Sequence, residues 1–268
     1  MSRSIIWYLR RHPLLYEVRF RLLSKNASVD RVENFCYNNI NKTADIPEIY
    51  FELNPLIFEK IKVALSDIDK AKKIAIWLRN NIKGGAGLGK SSEIALRKMM
   101  NGEGGVCSDF SQVFNNFCVI NDLKVKEWGL KVISNDPSLK GGHAFNEVYS
   151  KELQKWFIID VSKSLLFYPI NPTIPLSIFD LVTLKNENEK VTFSCFNENT
   201  VPDCKRITDI YITSNSSPFL ITNYCNKTYD SYLNKLNFLP ESIVHGLLFL
   251  LGKSYAFEFP NINKFSKL

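Results

Sequence analysis

The feature that most constrains this chain is a change of hydrophobic period at Asn121-Asp122. Upstream, Ile68, Ala71, Ala75, Leu78 and Ile82 recur at alternating steps of three and four behind a capping-box-like Ser66-Asp67-Ile68-Asp69, which predicts a helix over residues 67–82. Phe110, Val113, Phe114, Phe117 and Cys118 then fall at steps 0, 3, 4, 7 and 8, one apolar stripe of a helix that starts at or just before Cys107. Downstream the period becomes two, with Trp128, Leu130 and Val132 on one side. The segments His143 to Tyr149 and Trp156 to Val161 follow, joined by a polar six-residue connection, and both read as strands. Helices followed by consecutive strands predict an α+β fold in which the helix from Cys107 packs on an antiparallel sheet.

Between the two helices lie a glycine-rich loop (Gly84 to Gly89), a short helical stretch from Ser91 to Met100 and the turn Asn101-Gly102-Glu103-Gly104-Gly105. Past residue 171, Val191 to Phe196, Asp209 to Thr213 and Pro218 to Tyr224 read as strands and Pro240 to Tyr255 as helix. No repeat or low-complexity linker separates them from what precedes. The expected organisation is a basic amphipathic helical extension over residues 1–55, a core over 56–170 and a C-terminal elaboration of strands then a helix over 171–268, packed on that core.

Charge is concentrated at one end. Of the +7 net charge, five units lie in residues 1–25, where Arg3, Arg10, Arg11, Arg19, Arg21 and Lys25 face only Glu17. A nucleic-acid-binding face needs cations spread along a groove or helix, so nucleic acid is not an expected partner. The same segment carries Ile5, Ile6, Trp7, Leu9, Leu14, Leu15, Val18, Phe20, Leu22 and Leu23. It reads first as a two-part helix docked on the domain, with Pro13 starting the second part, and second as a peripheral contact with anionic lipid through residues 1–25.

Arg10, Arg11 and His12 interrupt the early apolar residues before a secretory core forms. No apolar run approaches the roughly 18 residues of a spanning helix. Six cysteines over 268 residues, without a C-x-x-C pair, and three histidines predict neither a disulfide framework nor a zinc site. The expectation is a cytoplasmic, at most membrane-peripheral, protein with no metal and no cofactor.

Three residues sit in a telling order. Cys107 lies in Gly104-Gly105-Val106-Cys107-Ser108-Asp109-Phe110. His143 follows 36 residues later in Gly141-Gly142-His143-Ala144-Phe145-Asn146-Glu147-Val148, and Asp160 closes Trp156-Phe157-Ile158-Ile159-Asp160 another 17 on. Singly, each has an ordinary reading: a small buried hydrophobe, a strand residue, an acid capping a turn. Together they form a set for thiol chemistry. A thiol is only a few per cent ionised at neutral pH, and a helix N-terminus or a neighbouring imidazolium stabilises the thiolate. Cys107 opens a helix, His143 is the candidate general base and acid, and Asp160 would orient its ring. Gly104-Gly105 permits a tight approach, and the unpaired N–H groups of the helix start could face an oxyanion. Asn101 is a candidate side-chain donor to that oxyanion, against its plainer reading as a turn residue.

Gly-Val-Cys opening an apolar helix, His-Ala-Phe-Asn-Glu-Val in a strand and Trp-Phe-Ile-Ile-Asp in the next resemble the transglutaminase-like superfamily of papain-like Cys-His-Asp enzymes. The resemblance spans roughly residues 60 to 165. It implies that Cys107 is the nucleophile, His143 the base and Asp160 the third member of a triad. The implied reaction is acyl transfer or amide hydrolysis through a thioester, on a peptide, glycopeptide or other amide-bearing substrate. Two positions depart from the pattern: Phe145 stands where tryptophan is usual, and Val161-Ser162 follows Asp160 where Pro-Thr is common. Arylamine N-acetyltransferases share the triad logic and a Gly-Gly-x-Cys entry and form a neighbouring alternative. A non-catalytic binding module of the same fold is another.

One further motif competes. Gly84-Gly85-Ala86-Gly87-Leu88-Gly89-Lys90-Ser91 satisfies G-x-x-x-x-G-K-[ST], the signature of a nucleotide-binding phosphate loop. Such a loop follows a buried strand, whereas the residues before Gly84 are helix-patterned, so the segment reads as a surface loop.

Overall fold

The computed structural model of the chain describes residues 13–59, 63–133, 141–171, 174–213 and 215–261. Residues 1–12 of the basic segment, including Trp7, Arg10 and Arg11, lie outside the described residues.

The elements run α1 (Pro13–Leu23), β1 (Ser24–Ala27), α2 (Val29–Asn34), α3 (Glu48–Phe58), α4 (Asp67–Asn81), α5 (Ser92–Met100) and α6 (Cys107–Ile120). The strands β2 (Val125–Ile133), β3 (Gly141–Ser150), β4 (Lys155–Ile159) and β5 (Leu165–Pro169) follow. Then come α7 (Ile178–Asn186), β6 (Val191–Cys195), α8 (Cys204–Ile207), a π-helix over Thr208–Thr213, β7 (Asn215–Thr222), α9 (Asn226–Lys235), α10 (Glu241–Leu250) and β8 (Ala256–Pro260). The α+β class expected from the period change holds.

Six strands form one sheet in the order β1-β8-β7-β2-β3-β4, and β5 pairs with β6 in a second sheet. Every pair is antiparallel except β1 with β8, which is parallel. Alternation along β2 and β3 sends side chains to two cores. On one face Val125 and Val148 join Phe114 and Phe117 of α6 and Ile74 and Leu78 of α4. On the other, Trp128, Leu130, Phe145 and Leu220 meet Leu176, Leu181, Ile210 and Tyr211. Phe117 is fully buried, edge-on to Tyr50 at 5.0 Å and Trp77 at 5.9 Å. Burying such a ring stabilises the fold by about 3 kcal/mol.

The C-terminal third interleaves with this sheet. β7 pairs with β2 from Glu127↔Ile221 to Ile133↔Asn215, and β8 then extends the sheet. Glu258 of β8, fully buried, accepts from Arg31 (2.7 and 2.8 Å) and Thr222 (3.0 Å) and pairs with Lys25 (2.9 Å), tying β1 and α2 to the same edge.

Two expectations are corrected. Asp209 to Thr213 is a π-helix, not a strand: the neighbours Ile210 and Tyr211 are both buried, whereas a strand turns adjacent side chains to opposite faces. Pro240 to Tyr255 is helical only from Glu241 to Leu250. The helix gives way to a turn in which Gly252 takes φ +65°, and β8 begins at Ala256.

Candidate active site

Cys107 is the first residue of α6. Its approach is fixed by two glycines in the left-handed region, Gly104 at φ +144° and Gly105 at φ +120°. A Cβ on Gly104 would lie 2.4 Å from the Ala86 carbonyl oxygen, which leaves room only for glycine, whereas one on Gly105 would meet the flexible Met99 side chain at 2.9 Å and it is the positive φ that favours glycine there. The Gly105 N–H donates to Ala86 O (2.8 Å) and the Gly85 N–H to Gly105 O (2.9 Å). At the helix start Asp109 accepts from the N–H groups of Val106 (2.8 Å) and Leu88 (3.3 Å). The glycine-rich loop is thereby stitched to the strand-like entry into α6.

The flank of α6 is locked to the sheet by a buried polar chain. Asn146 of β3 donates to Ser111 O (3.2 Å) and Asn115 Oδ1 (2.8 Å), and Asn115 donates to Glu127 of β2 (2.8 Å). Burial, offset in part by Asn115, raises the Glu127 carboxyl to about 8, with the Cys107 and Asp109 charges adding to the rise. This environment favours the neutral form of Glu127.

His143 lies near the start of β3 and Asp160 immediately past β4. Ring Nε2 of His143 is 2.7 Å from Asp160 Oδ2. With Nε2 so engaged, Nδ1 is the nitrogen left for the Cys107 thiol, with which the ring is hydrogen-bonded. All three sequence-predicted residues thus meet at one point, drawn from α6 and from the ends of two adjacent strands.

Asp160 is fully buried and surrounded by donors. Oδ2 also accepts from the Tyr211 hydroxyl (2.9 Å), while Oδ1 accepts from Ser162 Oγ (2.9 Å) and the Lys163 N–H (3.0 Å). Its own backbone forms an isolated bridge with Leu165. The Ser162 that departs from the family pattern thus supplies a bond to the carboxylate. Phe145, the other departure, is fully buried with its ring centroid 5.6 Å from that of Tyr211.

The electrostatics favour an ion pair. Burial pushes the Cys107 thiol up, but the His143 bond and charge and the Ala144 N–H outweigh it, and the net shift is downward. Burial pushes the His143 imidazole down, and the Asp160 charge and bond together with Cys107 overcome this to raise it to about 10. Asp160 is held below the usual carboxylate range: burial opposes this, and the His143 charge and bond, then Ser162 and Tyr211, prevail. All three shifts favour thiolate facing imidazolium.

Residues 57–161 match the family model described as the transglutaminase-like superfamily core. That stretch is similar to the transglutaminase-like core. A crystal structure from Cytophaga hutchinsonii, described as that of a candidate cysteine protease, shares 17% identity over 64% of this chain at a TM-score of 0.32. This chain covers 58% of that one. Comparison with curated proteins gives no match.

Asn101 is an exposed residue closing α5, with its backbone N–H on Arg97 O and its side chain bonded to Glu103; it is a helix-ending turn residue. The loop with Lys90 follows α4, so the strand that a phosphate loop requires is replaced by a helix. Among the described residues no group of His, Cys, Asp and Glu could hold a metal ion, and no helix is long and apolar enough to cross a membrane. Tyr211 escaped the sequence reading because it lies 51 residues beyond Asp160 in a stretch patterned like a strand.

Proposed function

We propose that the protein is a cysteine enzyme that transfers or hydrolyses acyl groups through Cys107, His143 and Asp160. The observation that carries this reading is the buried Asp160 holding His143 at 2.7 Å, with the ring bonded in turn to a thiol at the first residue of a helix. In the reaction the Cys107 thiolate attacks the carbonyl carbon of an amide or ester. The oxyanion that forms meets the helix-start amides, including that of Cys107, which have no intrahelical acceptor. The His143 imidazolium gives its proton to the departing amine or alkoxide as the C–N or C–O bond breaks, leaving a thioester on Cys107. Neutral His143 then takes a proton from an incoming water or amine, which resolves the thioester and regenerates the thiolate. Water gives a peptidase or amidase and an amine gives a transamidase. Peptides, glycopeptides and other amide-bearing molecules are the substrate classes that suit such a site.

The test is mass spectrometry of protein incubated with pools of peptides, glycopeptides and acyl thioesters, then quenched in acid. An acyl adduct on the Cys107 peptide, absent from Cys107→Ala and from His143→Ala, is the expected result. No adduct from any pool would point instead to a binding module that retains the fold.

A further inference from the structure

The geometry points to Arg79 as a specificity residue that selects acyl groups bearing a carboxylate, an inference that rests on the thiol-enzyme reading of the same site. Arg79 lies in the last turn of α4, and its guanidinium carbon sits 5.2 Å from the centroid of the Phe110 ring. Phe110 is three residues after Cys107 and so one helical turn along α6. The guanidinium therefore stands over the first turn of the helix that carries the nucleophile. It is also close enough to Asp160 for that charge to support its own, while burial works the other way and leaves the net shift downward.

This guanidinium lacks what such groups normally find. Its Nε is buried and meets no acceptor, and among the described residues Arg79 makes no hydrogen bond or ion pair. The nearby Asp160 does not supply one, because its two oxygens are taken by His143, Tyr211, Ser162 and the Lys163 N–H. Asn80, next in the chain, is itself engaged with Asn197 at 3.2 Å. Arginine cannot discard its charge, and its five N–H donors form a rigid fork. A buried donor left without an acceptor is costly, and a charged one more so.

A planar monoanion arriving with the substrate satisfies these requirements together. A carboxylate accepts two parallel N–H bonds from one guanidinium, and the Phe110 face holds the fork flat while it does so. A dianion fits less well, since one guanidinium would balance only half its charge and Asp160 stands close by.

Matched alkylating agents test this. Iodoacetyl-glutamate α-amide and iodoacetyl-glutamine α-amide differ only in a carboxylate against a carboxamide, and their rates at Cys107 are compared by peptide-resolved mass spectrometry. The ratio cancels differences in thiolate reactivity, and plain iodoacetamide reports that reactivity separately. The wild-type protein is expected to prefer the glutamate reagent by roughly tenfold, with the preference lost in Arg79→Gln and partly kept in Arg79→Lys. Equal rates with the two reagents in the wild type would overturn the proposal without recourse to any variant, as would a preference that survives Arg79→Gln. Iodoacetamide labelling of Cys107 no faster than that of exposed Cys204 would instead defeat the thiol reading beneath it.

Discussion

At the scale of single residues, the site depends on how a buried carboxylate is kept charged. Asp160 has no access to solvent, yet four donors from three places in the chain converge on its two oxygens. Tyr211 is the most distant in sequence and the easiest to test. Tyr211→Phe removes one bond to an ionised group and little else, so unfolding in urea should show a loss of about 1.5–3 kcal/mol. If the bond also positions Asp160, the pH at which the Cys107 thiol ionises should rise in the same variant; a stability loss with an unmoved thiol would make Tyr211 purely structural. The proposed acyl-transfer step carries its own pH limit. His143 must be protonated to release the leaving group, and its imidazolium persists until pH rises through about 10, so thioester formation should be retained through neutrality and fall only in that alkaline range.

At the scale of elements, Cys107 is placed by a turn and a helix that were legible in the sequence. The stripe Phe110, Val113, Phe114, Phe117 and Cys118 is buried throughout, and α6 begins at Cys107 itself. The paired glycines before it were legible as a tight approach, and both take positive φ. Gly105→Ala should therefore strain the backbone and press on Met99, costing about 1–3 kcal/mol and slowing Cys107 alkylation, whereas Gly102→Ala has open space around its Cβ and should cost about 1–2 kcal/mol for its φ of +75° without slowing that alkylation. What was not legible is equally specific. The Ile210 and Ile212 alternation suggests a strand, but a π-helix turns Ile210 and Tyr211 inward together. The four-residue β1, Ser-Lys-Asn-Ala, has no apolar pattern and exists because β8 offers it an edge. Arg79 carried no signal at all, since a basic residue late in a helix ordinarily faces solvent.

At the scale of the whole molecule, the segment similar to the transglutaminase-like core and the C-terminal third share one sheet. β7 lies against β2 along most of its length, and Tyr211 reaches Asp160 from beyond residue 171. A fragment of residues 56–170 would leave the β2 edge unpaired and Trp128, Leu130 and Phe145 without Leu176, Leu181, Ile210, Tyr211 and Leu220 of their core, so it should lack a cooperative thermal transition and show no selective labelling of Cys107. A fragment that unfolds cooperatively would show that the core is stable by itself. The central claim concerns the thiolate, and the pH dependence of iodoacetamide alkylation, resolved over all six cysteines, tests it most directly. Cys36 and Cys118 are buried and Cys204 is exposed, so Cys204 is the accessible comparison. Cys107 is expected to react faster than Cys204 at about pH 6, where ordinary thiols are protonated, and to lose that advantage in His143→Ala. Equal rates at that pH, or a Cys107 advantage untouched by His143→Ala, would contradict the account.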